Sequence, residues 1–500
     1  MVNPLADELT GSRQPRPCVL VIFGATGDLT RRKLVPALLG LEHDGLLPPA
    51  FAVVGYARRD YDDARFHEHL RADAVEHTRV EGAAELFAGF RERLHYHAAT
   101  FEDPAGYEAL GQRLQQIDAA HGTQSNRLFY LATPPSAYSE ILANLAGSGL
   151  SRERDGAFAR VIIEKPFGND LPTARALNEQ VAAAFDERQV YRIDHYLGKE
   201  TVQNILAMRF ANRIFEPLWN EQFVDHVQIT VAESIGVGSR GAYFEEAGIV
   251  RDMIQSHILQ VLTLVAMEPP VSLDADAVRD EKVKVLRAIG TLDRDDVARA
   301  LVCGQYQAGS MSGEDVPGYR DEHGVAAGSR TETFAALRLE VANWRWGKTP
   351  FFLRSGKRMA RRVSEVAIRF KRPPQRLFDG RDPNVLLLRI QPDEGVSLRF
   401  GSKVPGPAMR LRDVRMDFRY GSSFAGQTAD AYERLLLDAM VGDTTLFARR
   451  DEVEEAWRIV DSVLAGWRAL DRAPHPYAAG SWGPRETDNI LGGERRWRRP

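Results

Sequence analysis

The sequence predicts two domains of different class: an N-terminal α/β unit on a parallel, doubly wound sheet, and a larger C-terminal α+β unit on a mostly antiparallel sheet. Three observations predict this. Five hundred residues are too many for one compact core. Up to about residue 194, short β-branched runs alternate with helical patterns rich in Ala, Leu, Glu and Arg, which is the texture of strands joined by crossover helices. Beyond that point apolar and polar residues alternate along extended segments, with the helices set apart from them. The division is placed at 1–195 and 196–500.

The elements of the first domain are read in order. Residues 19–23 form an apolar run that stops at Gly24, and an amphipathic basic helix starts near Asp28. Further strands are expected at 52–54, 128–131 and 161–163. In the second domain a helix is expected over 200–210, and strands at 224–232, 334–341, 364–370 and 385–390. Residues 309–329 are polar and Gly-rich and read as a long loop able to lie over a site, and the last twenty residues read as irregular.

Composition excludes several classes of function. Sixty-five basic against 69 acidic residues give a formal charge of −4, so nucleic acid is not expected as a partner. The two cysteines, Cys18 and Cys303, have no metal-ligand spacing and form no disulfide framework, which suits a reducing compartment. No stretch has the length of a bilayer span and the N-terminus has no apolar signal core, so a cytoplasmic protein without membrane contact is expected.

Gly24-Ala25-Thr26-Gly27-Asp28-Leu29 follows the first strand and opens a helix. Glycines there let backbone approach a pyrophosphate, and the helix start adds N–H donors and positive dipole, so a Rossmann-like dinucleotide site is expected. The spacing is G-x-x-G, which by itself is also that of a plain tight turn. The second strand ends Gly55-Tyr56-Ala57-Arg58-Arg59, where NAD enzymes usually place an acid for the ribose 2′-hydroxyl. Two guanidiniums suit a 2′-phosphate and hence NADP, although a solvated basic turn has the same composition and Asp60 is close by.

Asp194, His195, Tyr196 and Lys199 crowd into six positions just before the expected helix. Imidazole, phenol and ammonium can each donate to phosphate oxygens, and the helix start adds backbone donors. The whole segment, Arg192-Ile193-Asp194-His195-Tyr196-Leu197-Gly198-Lys199-Glu200, resembles the substrate motif of glucose-6-phosphate dehydrogenases. GATGDLTRRKL resembles that family's coenzyme loop, and Glu164-Lys165-Pro166-Phe167-Gly168 its lysine-bearing segment. Residues 243–267 resemble its catalytic helix, and Asn343-Trp344-Arg345-Trp346 and Arg354-Ser355-Gly356-Lys357 resemble segments of its second domain.

The resemblance implies oxidation of D-glucose 6-phosphate at C1 to 6-phospho-D-glucono-1,5-lactone with hydride transfer to NADP+, the first oxidative step of the pentose phosphate pathway. It implies that His257 is the general base and Asp194 the carboxylate orienting it. His195, Tyr196 and Lys199 match the phosphate ligands, and Lys165, Glu233, Asp252, Lys357, Arg362 and Gln391 match groups holding the sugar or its phosphate. Gly24 to Leu29, Arg58, Tyr138 and Lys165 match coenzyme contacts. It also implies a homodimer or homotetramer, and no metal. Animal members carry a second, structural NADP. Arg389, Lys403 and Asp417 lie in segments resembling that site, but Val363 stands where those members have a lysine, so a second NADP is not expected.

The chemistry agrees with these roles. Hydride leaves C1 only as the C1 hydroxyl loses its proton, and a histidine near neutral pKa accepts it. Residue by residue the pattern is weaker. A lone helical His is more often structural, Lys165 could be a solvated strand end, and Asp252 lies five positions before His257, about 140° round an α-helix. Two rivals fit part of the pattern: an oxidoreductase of unphosphorylated sugars, which has no use for the His195/Tyr196/Lys199 cluster, and a non-catalytic NADP sensor, which has no use for His257.

Overall fold

The computed structural model describes residues 14–375, 377–378, 382–423 and 430–500, which form two compact units. The first takes in the described residues up to Gly198, then Leu273–Arg279 and residues 430–453, so the chain leaves it and twice returns. Its parallel strands are β1 (Cys18–Phe23), β2 (Phe51–Ala57), β3 (Leu94–Ala98), β4 (Arg127–Leu131), β5 (Ala159–Ile163) and β6 (Val190–Ile193). They lie in the order β3-β2-β1-β4-β5-β6, and the short strand Phe447–Ala448 closes the β6 edge antiparallel. Every residue of β1, β2 and β4 is buried, as a sheet covered on both faces requires.

Strand order reverses at β1, because β2 and β4 flank it while both of the following connections run outward. Open α/β sheets bind ligands at such a switch point, outside the carboxyl ends of the strands. Two of the six parallel strands lie outside the expected set. β3 reads LHYHA, an edge strand whose half-exposed positions are His95 and His97, and β6 is four residues long with a buried Arg192 paired to Glu187 at 2.6 Å. Neither has the continuous apolar run that marks the others.

The second unit is built on a nine-stranded sheet: β7 (Val224–Ala232), β8 (Leu301–Gln307), β9 (Phe334–Glu340), β10 (Pro350–Gly356), β11 (Val363–Phe370), β12 (Val385–Gln391), β13 (Gly395–Lys403), β14 (Leu411–Arg419) and β15 (His475–Ala478). The order is β14-β13-β12-β11-β7-β10-β9-β8-β15, antiparallel except at β7–β10 and β8–β15. The helical run Val250–Ile258, continued by Leu259–Ala266, packs on β7 and β10. All eight residues of Leu259–Ala266 are buried.

Two expectations change here. Residues 309–329 are an ordered excursion rather than a plain loop: Gly309–Met311 pairs with Glu314–Val316 as a ribbon, and a short turn follows at Tyr319–Asp321. The C-terminal residues are not wholly irregular: Arg485–Ile490 form a 3-10 helix, and the residues after it are ordered by contact. Arg498 donates its N–H to Gln228 Oε1 at 2.8 Å and its Nε to Glu365 Oε1 at 2.8 Å, while Arg354 donates to the Arg498 carbonyl at 2.9 Å. The Arg354 guanidinium lies 4.6 Å from the Trp497 ring centroid. The tail thereby covers the centre of the sheet, while the β13–β14 end is widely exposed. Among the described residues no helix is long and apolar enough to cross a membrane.

Candidate active site

The glycine turn sits at the carboxyl end of β1, at the switch point. Gly24 adopts φ +81°, and a Cβ there would lie 2.4 Å from the Ala132 carbonyl oxygen, so only glycine fits between β1 and the end of β4. Gly27 donates its N–H to the Gly24 carbonyl at 2.9 Å, closing the turn. Asp28 pairs with Arg31, and the helix runs from Thr30 through His43 with an initial i→i+5 stretch. Ala25 is buried, Thr26 and Leu29 are half-buried, and Gly27 and Asp28 are exposed. This cradle, too narrow for a side chain and open at the helix start, fits a dinucleotide pyrophosphate. Arg58 and Arg59 follow β2 and are exposed; Arg59 donates to the Tyr61 hydroxyl at 3.1 Å, and Arg58 makes no ion pair among the described residues.

Tyr138 is buried, with its hydroxyl donating to the Glu164 carbonyl at 3.0 Å, so it braces the strand end that carries Lys165. The Tyr130 hydroxyl donates to Glu164 Oε1 at 2.6 Å, and burial pushes the Glu164 carboxyl above the ordinary range despite that bond. After β6 the chain turns: Asp194 is buried and accepts the Tyr196 N–H at 3.0 Å, and the Leu197 N–H closes on the Asp194 carbonyl at 2.9 Å. Tyr196 is buried and His195 half-buried, with ring centroids 5.1 Å apart.

In the second unit, residues distant in sequence converge. Lys199 occupies the N-cap position of the helix Glu200–Phe210, and its Nζ donates to Gln391 Oε1. Arg362 reaches the same oxygen at 3.4 Å, and Gln391 Nε2 donates to Ser364 Oγ at 3.0 Å. The Thr201 hydroxyl donates to the Ile390 carbonyl at 3.1 Å, fixing the helix start against β12. An ammonium, a guanidinium and a helix N-terminus thus share one place, with an amide between them. At the ends of β7 and β10, Lys357 Nζ pairs with Glu233 Oε2 at 2.6 Å and lies 5.1 Å from the Phe244 ring centroid.

His257 is 1% exposed and Asp252 half-buried. Both lie in Val250–Ile258, which is hydrogen-bonded i→i+5; the Leu259 N–H, for example, reaches the Ile254 carbonyl. The ordinary α-helical period sets residues five apart well round the helix, whereas i→i+5 winding brings them to neighbouring places on one face. The relation between Asp252 and His257 therefore differs from the one that the α-helical period gives.

The far end of this helix is held by side chains that carry no signal of it in the sequence. Arg209, fully buried, donates to the carbonyls of Leu264 at 2.9 Å and Met267 at 2.8 Å. The indoles of Trp219 and Trp346 donate to Val265 at 2.7 Å and Ala266 at 2.8 Å. Four carbonyls that a helix end leaves without partners are thus satisfied. Trp346 belongs to the Asn343–Trp346 segment, whose other indole, Trp344, is 99% exposed. Nothing in local sequence says which of the two tryptophans is the buried one.

At the β12–β14 end, Arg389 pairs with Asp417 at 2.9 Å, and Lys403 Nζ donates to the carbonyls of Val404 at 3.1 Å and Gly406 at 2.6 Å.

A family model described as the NAD binding domain of glucose-6-phosphate dehydrogenase matches residues 21–204, and one described as its C-terminal domain matches 206–498. Glucose-6-phosphate 1-dehydrogenase 2 of Mycobacterium tuberculosis (strain ATCC 25618 / H37Rv) is 48% identical over 100% of this chain and 98% of its own. Glucose-6-phosphate 1-dehydrogenase of Aggregatibacter actinomycetemcomitans is 48% identical over 97% of each. Among solved structures, a glucose-6-phosphate dehydrogenase in complex with its substrate glucose-6-phosphate superposes with a TM-score of 0.88 at 36% identity, covering 95% of this chain and 97% of that one. The enzyme from Mycobacterium avium does so with 0.84 at 37%, covering 97% and 99%. Matched along nearly its whole length by family, relatives and structures alike, the chain belongs to the glucose-6-phosphate dehydrogenase family.

Proposed function

We propose that the residues described above perform, in this chain, the reaction of its family: oxidation of D-glucose 6-phosphate at C1 to 6-phospho-D-glucono-1,5-lactone, with hydride passing to NADP+. The observation that carries the assignment of the phosphate site is the convergence of Lys199, Arg362 and Gln391 at the start of the helix Glu200–Phe210. An anion there would meet two cations and backbone donors, and His195 and Tyr196, just before in sequence, complete the set.

His257 takes the C1 hydroxyl proton, and Asp194 is the carboxylate that fixes its tautomer and stabilises the imidazolium. Lys165, Glu233, Asp252 and Lys357 hold the sugar hydroxyls, Lys165 serving the coenzyme as well. The glycine turn holds the pyrophosphate and Arg58 the 2′-phosphate, with Tyr138 setting the strand end that presents Lys165. Bound NADP+ supplies the hydride acceptor. The coenzyme is assigned to 1–195 and the sugar to 196–500 together with the 194–196 turn. One NADP per chain, a homodimer or homotetramer, and a cytoplasmic location complete the reading.

Steady-state assay on glucose 6-phosphate and on free glucose tests the phosphate assignment. Lys199→Ala is expected to weaken glucose 6-phosphate by about 1.5–3 kcal/mol and to leave glucose activity nearly unchanged. Equal losses on both sugars would remove Lys199 from the phosphate site. For the coenzyme, Arg58→Ala is expected to raise the KM for NADP about tenfold and that for NAD far less, since only NADP carries the 2′-phosphate.

A further inference from the structure

The helical run that bears Asp252 and His257 starts without a side-chain cap of its own: Ile249 is its N-cap residue and makes no side-chain bond to the first turn. The carboxylate that reaches it comes from far along the chain. Glu332, immediately before β9, is 7% exposed and accepts the Val250 N–H on Oε1 at 3.3 Å. Its backbone carbonyl accepts the Ile249 N–H at 3.0 Å, so the same residue engages two successive donors at the helix start. The approach is close enough to dictate sequence. Gly248 stands at φ +62°, and a Cβ there would lie 2.4 Å from Glu332 Oε1.

Neighbouring contacts tie the same junction to the 309–329 excursion. Glu245, on the helix Gly241–Ile249, accepts the Tyr319 hydroxyl at 2.5 Å and the Ser329 hydroxyl at 2.6 Å, and its carbonyl accepts the Thr331 hydroxyl at 3.2 Å. Burying a carboxylate carries a desolvation cost that a merely space-filling residue would avoid. Methionine or leucine would fill the volume without that cost. What neither offers is an acceptor for the first N–H groups of a helix with no cap of its own.

We infer that Glu332 is a positioning residue for the reaction: by accepting the first N–H of the 250–258 segment it fixes the axial and rotational setting of the segment, and through it the placement of Asp252 and His257. It touches neither substrate nor coenzyme and acts only through the helix it caps. The inference rests on the reading of His257 as the base, and the experiment separates the two.

Glu332→Met keeps the volume and removes the acceptor, whereas Glu332→Gln keeps both volume and acceptor and removes the charge. Each is assayed in the full-length protein well below its melting temperature, beside His257→Asn. E332M is expected to lower kcat by ~10–100-fold, the scale of a small misplacement of a catalytic group, with the KM for NADP changed less than about twofold. E332Q is expected to restore kcat to within about threefold of the parent. Amide exchange across 250–258 is expected to quicken in E332M and not in E332Q, with the helix Glu200–Phe210 unchanged in both. Glu332→Asp, which keeps the charge but draws the acceptor back by one methylene, is expected to reproduce part of the kcat loss should E332M not fold.

Parent-like kcat in E332M, or a loss in E332Q equal to that in E332M, would overturn the inference, as would exchange that quickens equally in both helices. If H257N itself turns over normally, the reading of the base has failed. The exchange comparison then still decides whether Glu332 sets the segment.

Discussion

The proposed coenzyme turn and the proposed sugar site of this enzyme are built in opposite ways. Gly24 to Leu29 is contiguous, lies at one strand end, and owes its shape to a glycine that no other residue can replace without meeting the Ala132 carbonyl. The proposed sugar site draws Lys199, Glu233, His257, Lys357, Arg362 and Gln391 from five segments, all but the mid-helix His257 standing where a strand or helix ends. A contiguous site is fixed by local backbone conformation. A dispersed one is fixed by whatever locks its elements in place, so residues that never meet substrate matter to it. The four buried donations at the end of the His257 helix, from Arg209, Trp219 and Trp346, are of that kind.

That contrast can be broken or sharpened by mutation. The largest effect is expected at the dispersed site itself: His257→Asn should lower turnover by ~10²–10⁴-fold with little change in either KM, since it removes the proton acceptor and keeps the shape. Normal turnover would take His257 out of the mechanism. Next comes Arg209→Met, which leaves the Leu264 and Met267 carbonyls without their donor in the interior, while Glu216 keeps its ion pair with Arg345. A loss of about 3 kcal/mol in unfolding free energy is expected, with kcat falling while the KM for NADP stays put. Burial lowers the Arg209 pKa to about 10, which still leaves it charged at neutral pH.

Gly24→Ala should act on the other side of the comparison. The left-handed backbone alone costs about 1–3 kcal/mol for a residue with a Cβ, before the contact with Ala132 is counted. The KM for NADP is expected to rise about tenfold or more, with that for glucose 6-phosphate unmoved, and a purely sugar-side defect would contradict the local account of the turn.

The smallest effect expected is a pH dependence that separates the buried Glu332 from the half-buried Glu245, both near the start of the His257 helix. Burial raises Glu332, so the folded state holds its proton more tightly than the unfolded chain does, and stability falls as pH rises from the ordinary carboxylate range through the raised pKa. At Glu245 burial also pushes upward, but the hydrogen bonds from Ser329 and Tyr319 outweigh it and lower the pKa. Its contribution is present above the ordinary value and is lost as pH falls through the lowered one. Urea midpoints from about pH 3 to 8 should therefore show E332Q gaining on the parent as pH rises and E245Q gaining on it as pH falls below the ordinary carboxylate value. Parallel curves for all three proteins would remove both shifts.

Much of the fold was legible because it is local. The apolar runs of β1, β2, β4 and β5 and the alternation of β7, β11 and β12 are written in consecutive residues, and the helix Glu200–Phe210 starts and stops where its pattern does. β3 and β6 were not legible, since an edge strand with two histidines and a four-residue strand with a buried arginine carry no apolar run. The two returns of the chain to the first unit were not legible either, because nothing near residues 273–279 or 430–453 states which core they will join.

The class of both domains and the glycine turn were written in the sequence, because backbone preference and alternation act between neighbours, whereas the segments of the sugar site stood out only by their resemblance to a family. Only the tertiary structure decided how Asp252 and His257 relate, since i→i+5 winding departs from the period that a sequence pattern assumes. It alone decided that Trp346 is buried and Trp344 exposed, and that Glu332 meets Val250 from 82 positions away. Those outcomes depend on which donors and acceptors find one another once water is gone, and a hydrogen bond formed across a closed loop leaves no periodic trace in the chain.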